Sequence, residues 1–237
     1  MTHKTAFGRI HYTSKKPDRM DAERGREWFS MTKHGDGSRT LTAHCEIDDA
    51  PAVIRDVSLT VDRDWRPNDS SVRITVGGNF VGSGWFRFTD TEAECQTSTV
   101  AEGRLTQRIA VAEKPRGFGN HAIASDGWLL NCYDLGKGPG TQYLNDMMIS
   151  SPDHRGATGP TIFRLNFGIE FVGEEKCTVG AGTFDALHFR IVGTEGQLPE
   201  THPPYDMWCT ADGDYVFLKG AVTGYMMTHY ELIELQR

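Results

Sequence analysis

A chain of 237 residues with 38% hydrophobic and 10% aromatic content can form one large all-β unit with a packed core. Its net charge of −7 argues against a nucleic-acid surface, which needs clustered Lys and Arg to displace counterions from phosphate. No window approaches the ~18 consecutive apolar residues that cross a bilayer, and no signal-like apolar run opens the chain. The expectation is therefore a cytoplasmic protein with neither a nucleic-acid nor a membrane partner.

Residues 1–27 are polar with mixed charge and read as an N-terminal arm. From Trp28 the pattern changes to alternation. Leu41, Ala43, Cys45 and Ile47 alternate with Thr42, His44 and Glu46, the signature of a half-buried strand. Asp36-Gly37 supplies the preceding hairpin turn. Val53–Val61 is a second strand, ended by the breakers Pro67 and Asn68. Val72, Ile74 and Val76 mark a third, and the glycine-spaced GSGWFRF leads into a longer one. A further strand, RLTQRIAV, begins after Gly103.

The stretch Phe118–Leu135, FGNHAIASDGWLLNCYDL, reads as a turn between two strands. The next region, 136–159, lacks alternation and is long enough for a lid or binding loop. Its Tyr143, Met147 and Met148 suggest a cap over a cavity mouth, with a short helix expected at 142–149. Beyond it, Phe163, Leu165, Phe167, Ile169 and Phe171 alternate with polar residues. Further strands follow through FDALHFRIV and from Met226 to Leu235. The expected fold is a single antiparallel lipocalin-like, calycin-type barrel over 28–237, closed so that it has no open edge and hollow enough for a ligand.

The chemistry concentrates between Phe118 and Leu135. His121 and Asp126 flank an apparent turn, so both can point into one pocket, where an imidazole oriented by a carboxylate works as a general base. The bland alternative is that His121 bonds a strand backbone and Asp126 only shapes the Asp-Gly turn. Tyr133 can donate to a developing oxyanion; a phenol satisfied by backbone is the competing role. Trp85 and Arg87 share a strand face, where Arg87 could bind a carboxylate, phenolate or enolate if that face lines the cavity. Trp128, Asn131, Tyr143 and Asn166 complete the candidate substrate-binding set.

Cys45, Cys95, Cys132, Cys177 and Cys209 are widely spaced and never form C-x-x-C, which suits buried thiols better than zinc or disulfides. No metal-ligand spacing, P-loop, nucleophile elbow or dinucleotide fingerprint is present, so neither metal nor cofactor is expected.

The segments VGAGTFDALHF and YDMWCTADGDYVFLKG, with the terminal HYELIEL, resemble uncharacterised bacterial β-barrel families. HAIASDGW is more loosely similar to lipocalin-like hydratases and cyclases of carotenoids and other isoprenoids. That likeness implies polar groups inside a barrel that protonate or hold an apolar substrate. Together these readings point to a cofactor-independent acid–base enzyme (lyase, hydratase, isomerase or cyclase) for an apolar aromatic or isoprenoid molecule. The alternative is a non-catalytic carrier of the same ligand class. A homodimer is compatible with either.

Overall fold

The computed structural model describes residues 3–237. The strands are β1 (Lys4–Ser14), β2 (Glu23–Lys33), β3 (Arg39–Ile47), β4 (Val53–Val61), β5 (Pro67–Val76), β6 (Asn79–Phe88), β7 (Glu92–Thr99) and β8 (Gly103–Ala110). A crossover carrying the helix α1 (Ile123–Leu129) then leads to the second set. These are β9 (Phe118–Gly119, within the crossover), β10 (Gly140–Ile149), β11 (Phe163–Val179), β12 (Gly182–Val192), β13 (Tyr205–Thr210), β14 (Phe217–Val222) and β15 (Thr228–Gln236).

All fifteen strands form one sheet in the order β8-β7-β6-β5-β4-β3-β2-β1-β15-β14-β13-β12-β11-β10-β9. The chain starts in the middle, meanders out to β8, crosses over, and meanders back until β15 lies beside β1. Every pair is antiparallel except β9 with β10. Strict alternation drives this. In β4, Val53, Val57, Leu59 and Val61 are buried while Ile54 and Asp56 face out, and β3, β5 and β6 repeat the pattern.

The sheet curls but does not close, which corrects the expected lipocalin-like barrel: β8 and β9 are edges and no ladder joins them. The seam is bridged by side chains instead. Gln107 on β8 accepts from the Ile162 backbone N–H at 2.7 Å and donates to the Ile162 carbonyl at 3.4 Å. Phe118 packs between Phe86 and Phe88, with ring centroids 4.8 and 4.9 Å away.

Three further expectations are corrected. Residues 4–14 and 23–33 of the expected arm are β1 and β2, in the centre of the sheet; residues 1 and 2 lie outside the described residues. The 118–135 stretch holds α1 and a short 3-10 turn rather than a plain turn. Within the expected cap at 136–159, the expected helix at 142–149 is the strand β10, while residues 152–155 do line the chamber described below. A register shift between Leu144 and Met147, with Asp146 at φ 57°, breaks the alternation there and puts Met147 and Met148 both inside.

Candidate functional site

The site is built where the crossover enters the curl of the sheet. The register sets Glu27 of β2 opposite Cys45 of β3, and Cys45 opposite Arg55 of β4, all on the inward face. Tyr12 and Tyr230 are paired on β1 and β15, with their rings edge-to-face at 5.0 Å. A charged row thus occupies positions where the strand pattern calls for apolar side chains.

Glu27 is fully buried and holds the start of α1. Its Oε1 and Oε2 accept the N–H groups of Ala124 and Ile123, each at 2.8 Å. Ala122, at the helix start, offers no capping side chain, so this remote carboxylate satisfies amides that would otherwise be orphaned. The Tyr12 hydroxyl (2.7 Å) and the Cys45 thiol (3.2 Å) also donate to Glu27. At the far face of α1, a Cβ on Gly127 would lie 2.5 Å from the Tyr215 carbonyl oxygen, so only glycine lets the helix approach β14 this closely.

Arg55, 2% exposed, clamps two loops: one Nη donates to the His121 carbonyl at 2.5 Å and the other to the Arg155 carbonyl. His121 sits in the left-handed region at φ 65°, with its ring against Gly156. Its Nε2 lies 3.0 Å from the Ser151 carbonyl oxygen. A carbonyl only accepts, so Nε2 carries the proton and Nδ1 is left as the basic nitrogen.

These elements enclose a chamber of about 170 Å³. Its walls are mostly apolar, with Ile123, Leu129, Ile149, Leu165 and Phe167 prominent, and the 152–155 loop and His202 cover one side. His121, Asp126, Tyr205, Tyr12 and Arg55 contribute the polar lining. Burial, reinforced by the Glu27 charge, pushes the Asp126 carboxyl up to about 8. Burial and then the Arg55 cation push His121 down to about 4. At neutral pH the acid is therefore mostly protonated and the imidazole neutral. Asp126 has one weak protein partner, the Tyr205 hydroxyl at 3.4 Å. Burial drives the phenols of Tyr12 and Tyr205 well above their usual range and Tyr230 to about 12. Among the described residues no three His, Cys, Asp or Glu side chains come together to hold a metal ion.

Of the sequence-chosen residues, the structure brings His121 and Asp126 to this chamber but does not hydrogen-bond them to each other. The expected orientation of the imidazole by Asp126 is replaced by the Ser151 carbonyl. Tyr133 is buried elsewhere, donating to the Gly138 and Gly140 carbonyls at 2.6 and 3.0 Å, the backbone role weighed against catalysis. Arg87 lies on the outer face, 3.7 Å from Glu94, and Trp85 is exposed on that face. Trp128 is buried on α1 against Trp65, at 5.6 Å. Asn131 lies in the 3-10 turn after α1 and is not among the residues lining the chamber. Tyr143 is 73% exposed, and Asn166 accepts from the Asp146 N–H at 2.9 Å on the exterior.

Sequence reasoning missed Glu27, Arg55, Tyr12 and Tyr205. The signal for Arg55 was present: it stands in phase with Val53, Val57 and Leu59, where a charge is out of place. Glu27 falls likewise in phase with Phe29.

No family model and no curated protein matches the chain. The structure is similar to that of a beta-barrel-like protein of the domain of unknown function DUF1849 from Brucella abortus, with TM-score 0.59 and 10% identity over 99% of this chain and 96% of that one. It also matches a DUF1089 family protein from Pseudomonas aeruginosa, with TM-score 0.45 and 8% identity over 84% of this chain and 89% of that one. Neither comparison supports a specific similarity to hydratases or cyclases. What the chain shares with the Brucella protein is a beta-barrel-like fold.

Proposed function

We propose that this protein binds a small, mainly apolar molecule carrying one hydrogen-bond acceptor, with the protonated Asp126 carboxyl as its donor. The observation that carries the reading is a carboxyl pushed up to about 8 that faces a mostly apolar chamber and has, among the described residues, only the distant Tyr205 hydroxyl at 3.4 Å beside it. A buried donor without a partner costs roughly 1–3 kcal/mol, which a ligand acceptor would offset. The chamber of about 170 Å³ suits one benzene-sized ring, since a dry cavity of about 150 Å³ is enough for benzene. The ligand class is thus a single aromatic ring or a short isoprenoid, too small for a carotenoid. In this use the curled sheet serves as a lipocalin wall does, around one ligand. The five free thiols suit a reducing, cytoplasmic setting.

A second reading, acid–base turnover of the same ligand, is favoured by one further observation. The chamber is lined both by an acid that keeps its proton at neutral pH and by His121, whose free Nδ1 can take one up. A lyase or isomerase reaction needs both.

Acetophenone and benzene serve as probes, with binding read by ligand-observed NMR at neutral and alkaline pH. Acetophenone should bind at neutral pH and weaken by about tenfold once Asp126 ionises, as it should in Asp126→Leu, whereas benzene should be indifferent to pH. Acetophenone binding that ignores both pH and the substitution overturns the donor role. Failure of both probes to bind overturns the chamber as a ligand site.

A further inference from the structure

The outer face of the N-terminal half carries a second feature, independent of the chamber. A shallow trough of about 1050 Å³ crosses β2 to β8 on the side of the sheet facing away from the core. The register explains it. Ser30, Thr42, Ser58 and Ser71 are consecutive cross-strand partners, forming a strip of short hydroxyl side chains. The strip ends on large apolar residues, Phe7 beside Ser30 and Trp85 beside Ser71. One step along the strands a parallel row runs Trp28, His44, Asp56 and Arg73. Small residues flanked by large ones make the hollow.

Two indoles are part-exposed on this face: Trp28 at 40%, with the Arg9 guanidinium 5.6 Å from its ring and the His44 ring 5.9 Å away, and Trp85 at 41%, with Phe7 at 56%. Four strand-to-strand spacings separate Trp28 on β2 from Trp85 on β6, about 19 Å at ~4.8 Å per spacing. The hydroxyls are partly self-paired, Ser30 with Thr42 and Ser58 with Ser71, each at 2.7 Å, but every hydroxyl keeps further capacity to donate or accept.

The charges set the occupant. Asp56 is the one carboxylate lining the trough, and it is bonded to His44 at 2.6 Å. Arg73 and Arg104, both exposed and both lining the trough, have no carboxylate partner among the described residues; Arg73 lies over the Phe80 ring at 4.6 Å. In a chain of net charge −7 this face is locally positive. Two unpaired guanidiniums are too few to track a phosphate backbone. They suit a sparsely charged, hydroxyl-rich polymer.

We propose that this trough binds a linear acidic oligosaccharide, a chain of sugar rings bearing carboxylates. The apolar C–H face of a sugar ring matches the indoles of Trp28 and Trp85. Its hydroxyls match the Ser/Thr strip, and its carboxylates match Arg73 and Arg104. The site needs nothing from the chamber, and neither depends on the other.

The test titrates a hyaluronan oligomer, in which only every second ring is a glucuronate, a neutral glucose oligomer of equal length and a single-stranded oligonucleotide into the full chain by calorimetry, at low and high salt. The uronate oligomer should bind, lose affinity as salt rises, and bind more tightly than the other two. Trp85→Ala and Trp28→Ala should each weaken it by about tenfold. The double substitution Arg73→Gln with Arg104→Gln should abolish its salt dependence. All these positions are on the solvent side, and unchanged melting verifies that each variant is folded; Tyr143→Ala, exposed on the other half, is the surface control. The proposal is overturned if the neutral oligomer or the oligonucleotide binds as well as the uronate, if no probe binds, or if the Trp variants bind normally. It is equally overturned if those variants only change the oligomeric state, which would make the face a contact between copies of the chain.

Discussion

Replacing Asp126 by Asn should remove a loss of stability that the wild type suffers as pH rises. In the folded chain the carboxyl is pushed from the usual 3.8 up to about 8 by burial and the Glu27 charge. A raised folded-state value means the stabilising contribution is complete below about pH 4 and is lost as pH rises towards 8. With 1.36 kcal/mol for each tenfold change in proton affinity, the swing has a ceiling of about 6 kcal/mol. Even buried sites respond with an effective dielectric constant nearer ~20 than ~4, which softens the cost of ionising Asp126. We expect about half the ceiling, ~3 kcal/mol. Asn has the same shape and does not titrate. The variant should therefore gain on the wild type by ~3 kcal/mol between pH 4 and pH 9, or ~6–12 °C in melting temperature for a chain of this size. Paired thermal and urea unfolding curves across that range measure the difference, in which the other titrating groups largely cancel. Wild-type and variant curves that stay parallel from pH 4 to pH 9 would refute the argument, because Asp126 would then titrate alike in the folded and unfolded chain.

Two other substitutions probe the scaffold. Glu27→Gln exchanges one accepting oxygen for a donating amide, facing four donors: Tyr12, Cys45 and the first amides of α1. It should cost ~3 kcal/mol and raise amide exchange at Ile123 and Ala124 before global unfolding; protection there equal to the wild type would rule out the remote cap. Tyr133→Phe removes the bonds to the Gly138 and Gly140 carbonyls and should lower stability by ~1–2 kcal/mol, measured by urea unfolding. Its acetophenone affinity should match the wild type, and a loss of binding out of proportion to stability would return Tyr133 to the site.

The all-β class and several strands were legible because alternation is a local signal. Val53–Val61 is a strand with the limits the pattern suggests. Legibility ended where a local cue was overridden. In β10 the register slip at Asp146 placed two methionines inside in succession, and a strand looked like an irregular cap. Lys4–Ser14 is polar enough to read as an arm, yet it is covered by β2 on one edge and β15 on the other. The α1 segment carries no capping residue of its own; its cap is 96 residues away in sequence, on Glu27. Of the site, His121 and Asp126 stood out by residue type and proximity. The partners that shift their protonation come from distant strands, and only the pairing of β2, β3 and β4 brings those together.

The seam beside β8 has a mechanical consequence. From β10 round to β8, neighbouring strands are stitched by ladders, so parting them means breaking many rungs at once. At Gln107 a single side-chain amide imitates one rung, with one good bond and one long one. Held only by this bond, the long Arg164 contact to the Ala110 carbonyl and side-chain packing, the wall yields there first. Slow, transient gaping of the protein should therefore follow this line and leave the β1–β4 region unmoved, making the seam a hinge in a shell that is otherwise rigid.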